Sequence, residues 1–385
     1  MSVVLVAGGG TGGHVIPALA TARALQSLRP ELAVEFVGTA DRLEARLAPA
    51  AGFRLHTVEA APMPRGLSIA LVRLPFVLAR ATRRVTALIR HRGAGAAVSF
   101  GGYTAVPLVL AARRTRIPLV VHEQNAAPGL ANRLAARWAS AVAVASPAAV
   151  ARFRHGDVVV TGNPVRHELV GLDRSALRAE ASSAFGLEAD RLTLLAFGGS
   201  LGARHINEAL VQSVGRWAHP ERLQILHVAG EQLHAEASAA WEQALRTSAP
   251  APRVVCLPFI DRMDLAYAAA DLVLARAGAT TIAELTVLGL PSVLVPYPLA
   301  LADEQTANAR VLVAAGAAAV VDDAKLDGAA LVRAVEPLVL ESARRDAMAS
   351  AARRMGRPDA AEAVARLVLG ALDRVVAPVP HNGPR

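Results

Sequence analysis

Two glycine-rich loops are the clearest places where this sequence could hold an anionic ligand. The first, Gly8–Gly13, fits the spacing G-x-G-x-x-G and lies between a predicted strand and a predicted helix. Glycines there let backbone amides and a helix N-terminus approach an anionic or polyhydroxyl ligand. A dinucleotide site would also need an acidic residue about 20 residues later, where the second strand ends. That strand ends at Gly38–Ala40 and Asp41 comes late, which argues against a dinucleotide.

The second loop, Gly198–Gly202, leads into a helix predicted to start near Ala203. Its amides and the Ser200 hydroxyl could bind a phosphate. Short Gly-Gly-Ser turns are common, so this loop alone is a weak signal.

His14 follows the first loop at the start of the predicted helix. The helix dipole disfavours an imidazolium at an N-terminus, so a neutral His14 could act as a general base. A capping or packing histidine explains the position equally well.

Four polar residues, His122–Asn125, close a predicted buried strand. Burying such groups without partners is costly, so we expect them to line a cleft. A solvated loop is the alternative.

Two further segments place carboxylates where helices begin. In Arg276–Glu284, Thr281 and Glu284 have capping-box spacing, which gives Glu284 a purely structural explanation. A carboxylate there can instead accept two hydrogen bonds from ribose hydroxyls, and spacing does not decide between the two. Asp303–Gln305, followed by Asn308, begins another helix, where acidic residues complement the dipole.

No Asp-x-Asp pair and no His/Asp cluster with metal-ligand spacing accompanies these motifs, which argues against a metal-dependent transferase. Amides and arginine would then have to neutralise a diphosphate. The single cysteine, Cys256, excludes a disulfide framework and fits a reducing compartment.

The elements that position these residues follow an alternating strand–helix pattern. Six strand-like runs are predicted from Val3–Ala7 to Val158–Val160, and six more from Leu192–Phe197 to Ala318–Val321. Alternation of this kind indicates an α/β fold with parallel sheets, here two sheets of six strands. We place the boundary near Gly162–Pro164, giving domains at 1–163 and 164–358 that face each other across a cleft. A last helix at about 359–377 could pack with either domain, including back on the first.

Charge is unevenly distributed over the 385 residues. The net charge is +9, from 41 Lys+Arg and 32 Asp+Glu. Residues 1–163 hold 19 Arg and 7 acidic residues, a charge of +12, and residues 164–385 hold 22 basic and 25 acidic residues, a charge of −3. The first domain therefore has a basic face that calls for an anionic partner or a structural explanation.

Membrane and targeting signals are weak. Three charge-poor stretches, 1–22, 93–112 and 285–302, are interrupted by glycine or proline, so none should span a membrane. The N-terminus lacks the basic region of a secretory signal. We expect a soluble, cytoplasmic chain that could still lie on a membrane surface.

The segment Gly66–Arg92 mixes apolar residues with arginines, and Pro75 predicts two helical pieces. An apolar patch rimmed by arginine is typical of a protein on anionic lipid, although a core helix with a solvated edge gives the same pattern. Nucleic-acid binding is disfavoured, because aromatics are 4% of the chain and are not interleaved with basic residues.

Taken together, the motifs resemble those of the MurG family, which attaches N-acetylglucosamine to undecaprenyl-linked muramyl peptide in peptidoglycan synthesis. The resemblance rests on motifs in family order from residue 3 to about 320: Gly8–His14, Gly101–Tyr103, His122–Asn125, Gly162–Arg166, Gly198–Arg204, Arg276–Glu284 and Gln305–Asn308. It implies a GT-B fold of two Rossmann-like domains, UDP-N-acetylglucosamine (UDP-GlcNAc) as donor, a lipid-linked acceptor, and inversion without a metal or cofactor. It also implies a peripheral position on the cytoplasmic face of an anionic membrane.

The resemblance also implies residue roles. Thr11, Gly12, Gly13 and Asn125 would contact the donor from the first domain, and Arg166 and Ser200 would address the diphosphate. Ile260 would meet the uracil. Ala279, Thr280, Thr281, Ile282 and Ala283 would cradle the phosphate or nucleoside, Glu284 would hold the ribose, and Gln305 the sugar. His14 would be the catalytic base or a donor contact. Family members often carry Gln or His where this chain has Glu304, so either Glu304 points away or the sugar pocket differs.

In the implied reaction, UDP leaves the α-anomeric carbon while the acceptor C4 hydroxyl attacks from the opposite face. A base removes the proton, and positive dipoles stabilise the leaving group. Alternatives are another GT-B enzyme acting on a UDP-sugar, such as a glycolipid glycosyltransferase or an epimerase, or a non-catalytic lipid binder.

Overall fold

The computed structural model describes residues 2–60, 69–154, 156–199 and 202–376, with the backbone alone at residues 69–72, 301, 375 and 376. Ser200, the segment Gly66–Ser68 and the tail Pro378–Arg385 lie outside the described residues. Contacts divide the chain into two compact units, residues 1–166 with 357–385 and residues 167–356. Each unit is built around its own parallel sheet.

The first unit contains a seven-stranded sheet in the order β3-β2-β1-β4-β5-β6-β7, with every neighbouring pair parallel. Its strands are β1 (Val3–Ala7), β2 (Ala33–Gly38), β3 (Arg54–Thr57), β4 (Ala94–Ser99), β5 (Leu119–Glu123), β6 (Ala141–Val144) and β7 (Val158–Val160). Its first helices are α1 (Gly12–Leu28), α2 (Leu43–Ala50), α3 (Ile69–Arg92), α4 (Val106–Thr115), α5 (Leu130–Ala135) and α6 (Pro147–Val150), with 3-10 turns at Tyr103–Ala105 and Ala136–Trp138.

The second unit contains a six-stranded parallel sheet in the order β10-β9-β8-β11-β12-β13. Its strands are β8 (Leu192–Phe197), β9 (Leu223–Val228), β10 (Arg253–Leu257), β11 (Leu272–Ala275), β12 (Ser292–Leu294) and β13 (Ala319–Val320). Its helices are α7 (Arg174–Phe185), α8 (Arg204–Gln212), α9 (His234–Thr247), α10 (Met263–Ala269), α11 (Ala279–Leu288), α12 (Glu304–Ala314), α13 (Gly328–Leu340) and α14 (Ser342–Met355), with 3-10 turns at His167–Leu169, Pro220–Arg222, Leu301–Asp303 and Asp323–Lys325.

The last helix, α15 (Ala360–Val376), packs in the first unit. Val364, Val368 and Leu372 are buried in the same core as β1 and β4. The Arg29 guanidinium at the end of α1 donates to both carboxylate oxygens of Asp373, at 2.8 and 2.9 Å. This helix therefore closes one face of the first sheet.

The central strands β1 and β8 are largely apolar on both faces because helices cover both faces of each sheet. In β1, Val4 and Val6 enter one core while Val3, Leu5 and Ala7 enter another. In β8, Leu194 and Ala196 face one side, and Leu195 and Phe197 the other.

The expectation of six strands in the first sheet is wrong, because β3 adds a seventh. Its sequence, Arg54-Leu55-His56-Thr57, has one aliphatic residue, and its ends are exposed. An edge strand needs fewer apolar side chains than a central one, so apolar runs do not reveal it.

Pro75 does not divide α3 into two pieces, so that expectation is also wrong. Proline removes one helical hydrogen bond early in this helix. The later turns bury Ala81, Val85 and Ile89, spaced four residues apart, against the first sheet's core. Tertiary packing therefore keeps α3 continuous through the proline.

Among the described residues, no helix is both long enough and apolar enough to cross a membrane.

Candidate functional site

In each unit the motif residues gather at the edge where the parallel strands end. In the first unit the loops after β1, β4 and β5 are neighbours. The Phe100 amide donates to the Ala7 carbonyl at 2.7 Å, and the Gln124 side-chain amide donates to the Phe100 carbonyl at 2.7 Å. Ligands in open α/β sheets bind at this edge.

The first glycine loop is held by Glu44, a buried carboxylate from α2 that sequence reasoning missed. The Gly10 amide donates to Glu44 Oε2 at 2.9 Å, and the amide and hydroxyl of Thr39 donate to Oε1 at 3.0 and 2.9 Å. A Cβ on Gly9 would lie 2.4 Å from Oε1, and one on Gly38 would lie 2.6 Å from Glu44 Cγ. The glycines at these two positions are the sequence feature that could have indicated a side chain packed against the loop. Glu44 thus binds the protein's own loop.

Thr11, Gly12 and Gly13 form the start of α1, which begins at Gly12. Thr11 is the exposed N-cap, and its carbonyl accepts the amides of His14 and Val15, both at 3.1 Å. The glycines lie in the first turn, whose N–H groups have no acceptor within a helix. The loop therefore presents a helix N-terminus, as predicted.

His14 is half-buried at this N-terminus. Its Nδ1 lies 3.3 Å from Thr11 Oγ1, and a Cβ on Gly102 would lie 3.6 Å from the ring. Burial lowers the pKa of His14 to about 4, although the Glu44 charge opposes this shift. The imidazole is therefore neutral at pH 7 and able to accept a proton.

The four polar residues at the end of β5, His122–Asn125, do not line a cleft together, contrary to expectation. His122, Glu123 and Gln124 are buried, and His122 Nε2 donates to the Gly162 carbonyl at 2.9 Å. Burial lowers the pKa of His122 to about 4. Internal hydrogen bonds satisfy the side chains of Glu123 and Gln124 and one nitrogen of His122, while His122 Nδ1 has no hydrogen-bond partner among the described residues. The residue types alone do not distinguish this arrangement from a cleft.

Glu123 is the centre of this buried network. It accepts the amides of Asn125 and Gly129 and the side chain of Asn132, at 2.9, 3.1 and 2.9 Å. Burial raises the pKa of Glu123. Asn125 alone of the four is half-exposed, so the network holds it at the surface.

Arg166 is half-exposed at the end of the first unit. The other residue predicted to address the diphosphate, Ser200, lies outside the described residues. Around it, Gly199 and Gly202 have positive φ values of 95° and 76°, and a Cβ on Gly202 would lie 2.3 Å from the Ala229 carbonyl oxygen. The close approach of loop to sheet explains the glycine at 202.

In the second unit, Ala279–Ala283 form the first five residues of α11. The N-cap is Gly278, so Thr281 is the third helical residue and Glu284 the sixth. The capping-box explanation of Glu284 is therefore wrong. Glu284 is buried, and its Oε2 accepts the Tyr267 hydroxyl at 2.8 Å.

Ile260 follows β10, and its side chain is buried in the core of the second unit. Its backbone makes no hydrogen bond with another described residue. The backbone, not the side chain, is thus the part of Ile260 available to a uracil edge.

Gln305 is the second residue of α12 and is half-buried. Its Oε1 accepts the Tyr297 amide at 2.9 Å, which orients its Nε2 as the donor. The Asn308 side chain donates to the Ala277 carbonyl at 3.2 Å, so α12 is tied to the turn before α11.

Comparison with known proteins decides the family. Residues 4–144 match the glycosyltransferase family 28 N-terminal domain, and residues 193–364 match the family 28 C-terminal domain. An Acidothermus cellulolyticus protein is 48% identical over 366 residues, covering 95% of this chain and 96% of the relative. It is named UDP-N-acetylglucosamine–N-acetylmuramyl-(pentapeptide) pyrophosphoryl-undecaprenol N-acetylglucosamine transferase. The chain belongs to the MurG family.

Solved structures agree on the fold. The crystal structure of Acinetobacter baumannii MurG has a TM-score of 0.75 at 31% identity, covering 96% of this chain and 100% of that one. A Neisseria meningitidis UDP-GlcNAc 2-epimerase has a TM-score of 0.68 at 14% identity, covering 97% and 100%, and shows the fold alone. The predicted GT-B class is confirmed.

The MurG family motifs therefore form two groups here, each within its own unit. Thr11–His14 and Asn125 share the strand-end edge of the first sheet, while Ile260, Ala279–Glu284 and Gln305 share that of the second. Over the described ranges, no cluster of three or more His, Cys, Asp or Glu side chains could hold a metal ion.

Proposed function

We propose that this chain transfers N-acetylglucosamine from UDP-GlcNAc to the C4 hydroxyl of undecaprenyl-pyrophosphoryl-N-acetylmuramyl pentapeptide, converting lipid I into lipid II. The observation that carries the proposal is the similarity, along nearly the whole chain, to a relative named for this transfer. The enzyme is then a hexosyltransferase of peptidoglycan synthesis.

In the second unit the donor meets groups suited to each of its parts. The Ile260 backbone reads the uracil edge, and Glu284, fixed by Tyr267, accepts the ribose hydroxyls. The first turn of α11 directs amides and a positive dipole end at the phosphate or nucleoside. Gln305 donates to the sugar. Arg166 and Ser200 address the diphosphate, and Thr11, Gly12, Gly13 and Asn125 contact the donor from the first unit.

The reaction is a single displacement that inverts the anomeric carbon. Stabilisation of the leaving diphosphate by fixed dipoles and arginine supplies much of the catalysis. His14 is neutral, so it can accept the C4 hydroxyl proton. A pKa near 4 makes it a weak base in the free enzyme, and proton transfer depends on the acidity that the hydroxyl gains as it attacks.

We also propose that the first unit rests on the cytoplasmic face of an anionic membrane. Between Ala60 and His122 the sequence has ten arginines and no Asp or Glu. Phe76 on α3 is 75% exposed and Leu130 on α5 is 65% exposed, while Arg113 lies over the Trp138 ring at 4.2 Å. Exposed apolar side chains in a segment with this excess of arginine favour adsorption to anionic lipid.

The test is a transfer assay with labelled UDP-GlcNAc and a short-chain lipid I analogue. We expect a lipid II analogue of inverted configuration and weaker use of UDP-glucose, and calorimetry should show binding of UDP-GlcNAc but not NADH. Addition of EDTA tests the metal independence that the family implies. Donor turnover to an epimer, or no transfer to the acceptor, would contradict the proposal.

A further inference from the structure

Asp323 lies outside every motif of the sequence, yet it is buried at the strand-end edge of the second sheet. It begins the short 3-10 turn Asp323–Lys325 that follows β13, and its side chain is 5% exposed. A buried carboxylate is costly unless cations and hydrogen bonds compensate it. Asp323 has two side-chain partners, one directly after β11 and one at the start of α8.

The first partner is Arg276, the residue directly after β11. Its Nη1 pairs with Asp323 Oδ1 and also donates to the carbonyls of Val295 and Pro296, at 3.2 and 3.4 Å. The guanidinium lies 5.5 Å from the centre of the Tyr297 ring. Arg276 thus joins the turn before α11 to the loop after β12.

That loop reaches the sugar-contacting residue. The Tyr297 amide donates to Gln305 Oε1 at 2.9 Å, so the backbone that Arg276 holds also orients the Gln305 side chain. The chain of contacts runs from Asp323 through Arg276 and residues 295–297 to Gln305.

The second partner is His205, whose Nδ1 lies 2.8 Å from Asp323 Oδ2. His205 is the second residue of α8, the helix that follows the glycine loop around Ser200. One carboxylate therefore connects the start of α8 with the loop that orients Gln305.

We propose that Asp323 is a positioning residue for the donor, setting the spacing between the start of α8 and the loop that orients Gln305. This rests on the proposed function, because it takes UDP-GlcNAc as the ligand. Asp323 itself touches no donor atom in this account. Ile260 is held in the core and Glu284 by the Tyr267 hydroxyl, and neither support includes Asp323. Uridine binding therefore distinguishes positioning of the donor from a purely structural role.

The test is calorimetry of Asp323→Asn with UDP-GlcNAc and with uridine. Loss of the charge should release Arg276 and His205, so that hydrogen bonds to the donor are weakened or lost. Because hydrogen bonds to charged groups are strong, we expect the Kd of UDP-GlcNAc to rise by about 10- to 100-fold and that of uridine to stay within about twofold. The matched control is Asp322→Asn, an exposed neighbour that only caps the Ala324 amide at 3.1 Å, and it should change neither value.

An equal loss of affinity for UDP-GlcNAc and for uridine, or no loss of affinity for either, would overturn the proposal. If Asp323→Asn does not fold, the proposal is tested with His205→Ala. His205 is 56% exposed, and its loss breaks only the link between Asp323 and α8. That variant should bind UDP more weakly and uridine as the wild type does. An unchanged affinity for UDP would also overturn the proposal. Wild-type protein that binds UDP-GlcNAc but transfers no sugar would count against the proposed function alone.

Discussion

The Glu44 carboxylate accepts the Gly10 amide at 2.9 Å, which fixes the first glycine loop to α2. Its other oxygen accepts two groups of Thr39. Three protein donors thus bind this one carboxylate, which holds the glycine loop in place.

Glu44→Gln should destabilise the protein, because one carboxylate oxygen becomes an NH2 group that must face an N–H or O–H donor. Leaving a buried donor unpaired costs about 1–3 kcal/mol. Urea denaturation of the variant should show a loss of that size. The matched change Glu31→Gln at an exposed site should have no effect, and equal stability of the two variants would contradict this account.

His14→Ala should lower turnover by roughly 10²- to 10⁴-fold if His14 removes the acceptor proton. Donor affinity, measured by calorimetry, should stay close to that of the wild type. Near-normal turnover would remove the base assignment. A large loss of donor affinity would instead identify His14 as a donor contact.

Glu284→Gln should weaken the binding of UDP-GlcNAc about 10- to 100-fold if the carboxylate binds the ribose hydroxyls, because charge-assisted hydrogen bonds are strong. A 2′,3′-dideoxy donor should bind wild type and variant alike. Tyr267→Phe, which removes the 2.8 Å hydrogen bond to Glu284, should give a smaller loss in the same direction. If the variant bound the dideoxy donor more weakly to the same extent as UDP-GlcNAc, Glu284 would have a structural role only.

Acid should destabilise both units. Burial lowers the pKa of His122 in the first unit and of His227 in the second to about 4. Unfolding returns each to about 6.5, so the unfolded state binds more protons below that pH, and stability present above pH 6.5 is lost as pH falls. Between pH 7 and pH 5 we expect a loss of about 2 kcal/mol per histidine in urea denaturation. A flat profile over that interval would contradict the burial of these neutral side chains.

Phe76→Glu should reduce co-sedimentation with phosphatidylglycerol vesicles, because it replaces an exposed apolar contact by a charge that anionic lipid repels. Leu340→Glu, at an exposed apolar site in the second unit, should bind vesicles like the wild type. Binding that does not respond to anionic lipid or to salt would remove the membrane proposal.

Much of the fold could be predicted because both faces of each sheet are covered. Strands such as Val3–Ala7 and Leu192–Phe197 are then continuous apolar runs with the bounds that the sequence indicates. The edge strand Arg54–Thr57 has little apolar surface to bury, and it was missed for that reason.

The site was harder to predict where partners come from distant segments. Whether His122 faces a ligand or the Gly162 carbonyl depends on a contact forty residues away. Glu284 has capping-box spacing from Thr281, but the helix begins three residues earlier than that motif needs. Glu44 and Asp323 belong to no motif, and only tertiary structure shows what their carboxylates hold.

The C-terminal helix has a consequence for the order in which the protein is made. Residues 360–376 are synthesised after the whole second unit, yet Val364, Val368 and Leu372 belong to the core of the first unit. The core of the first unit can therefore be completed only after the second unit has been synthesised, so the second unit can begin to fold while the first still lacks one of its core helices.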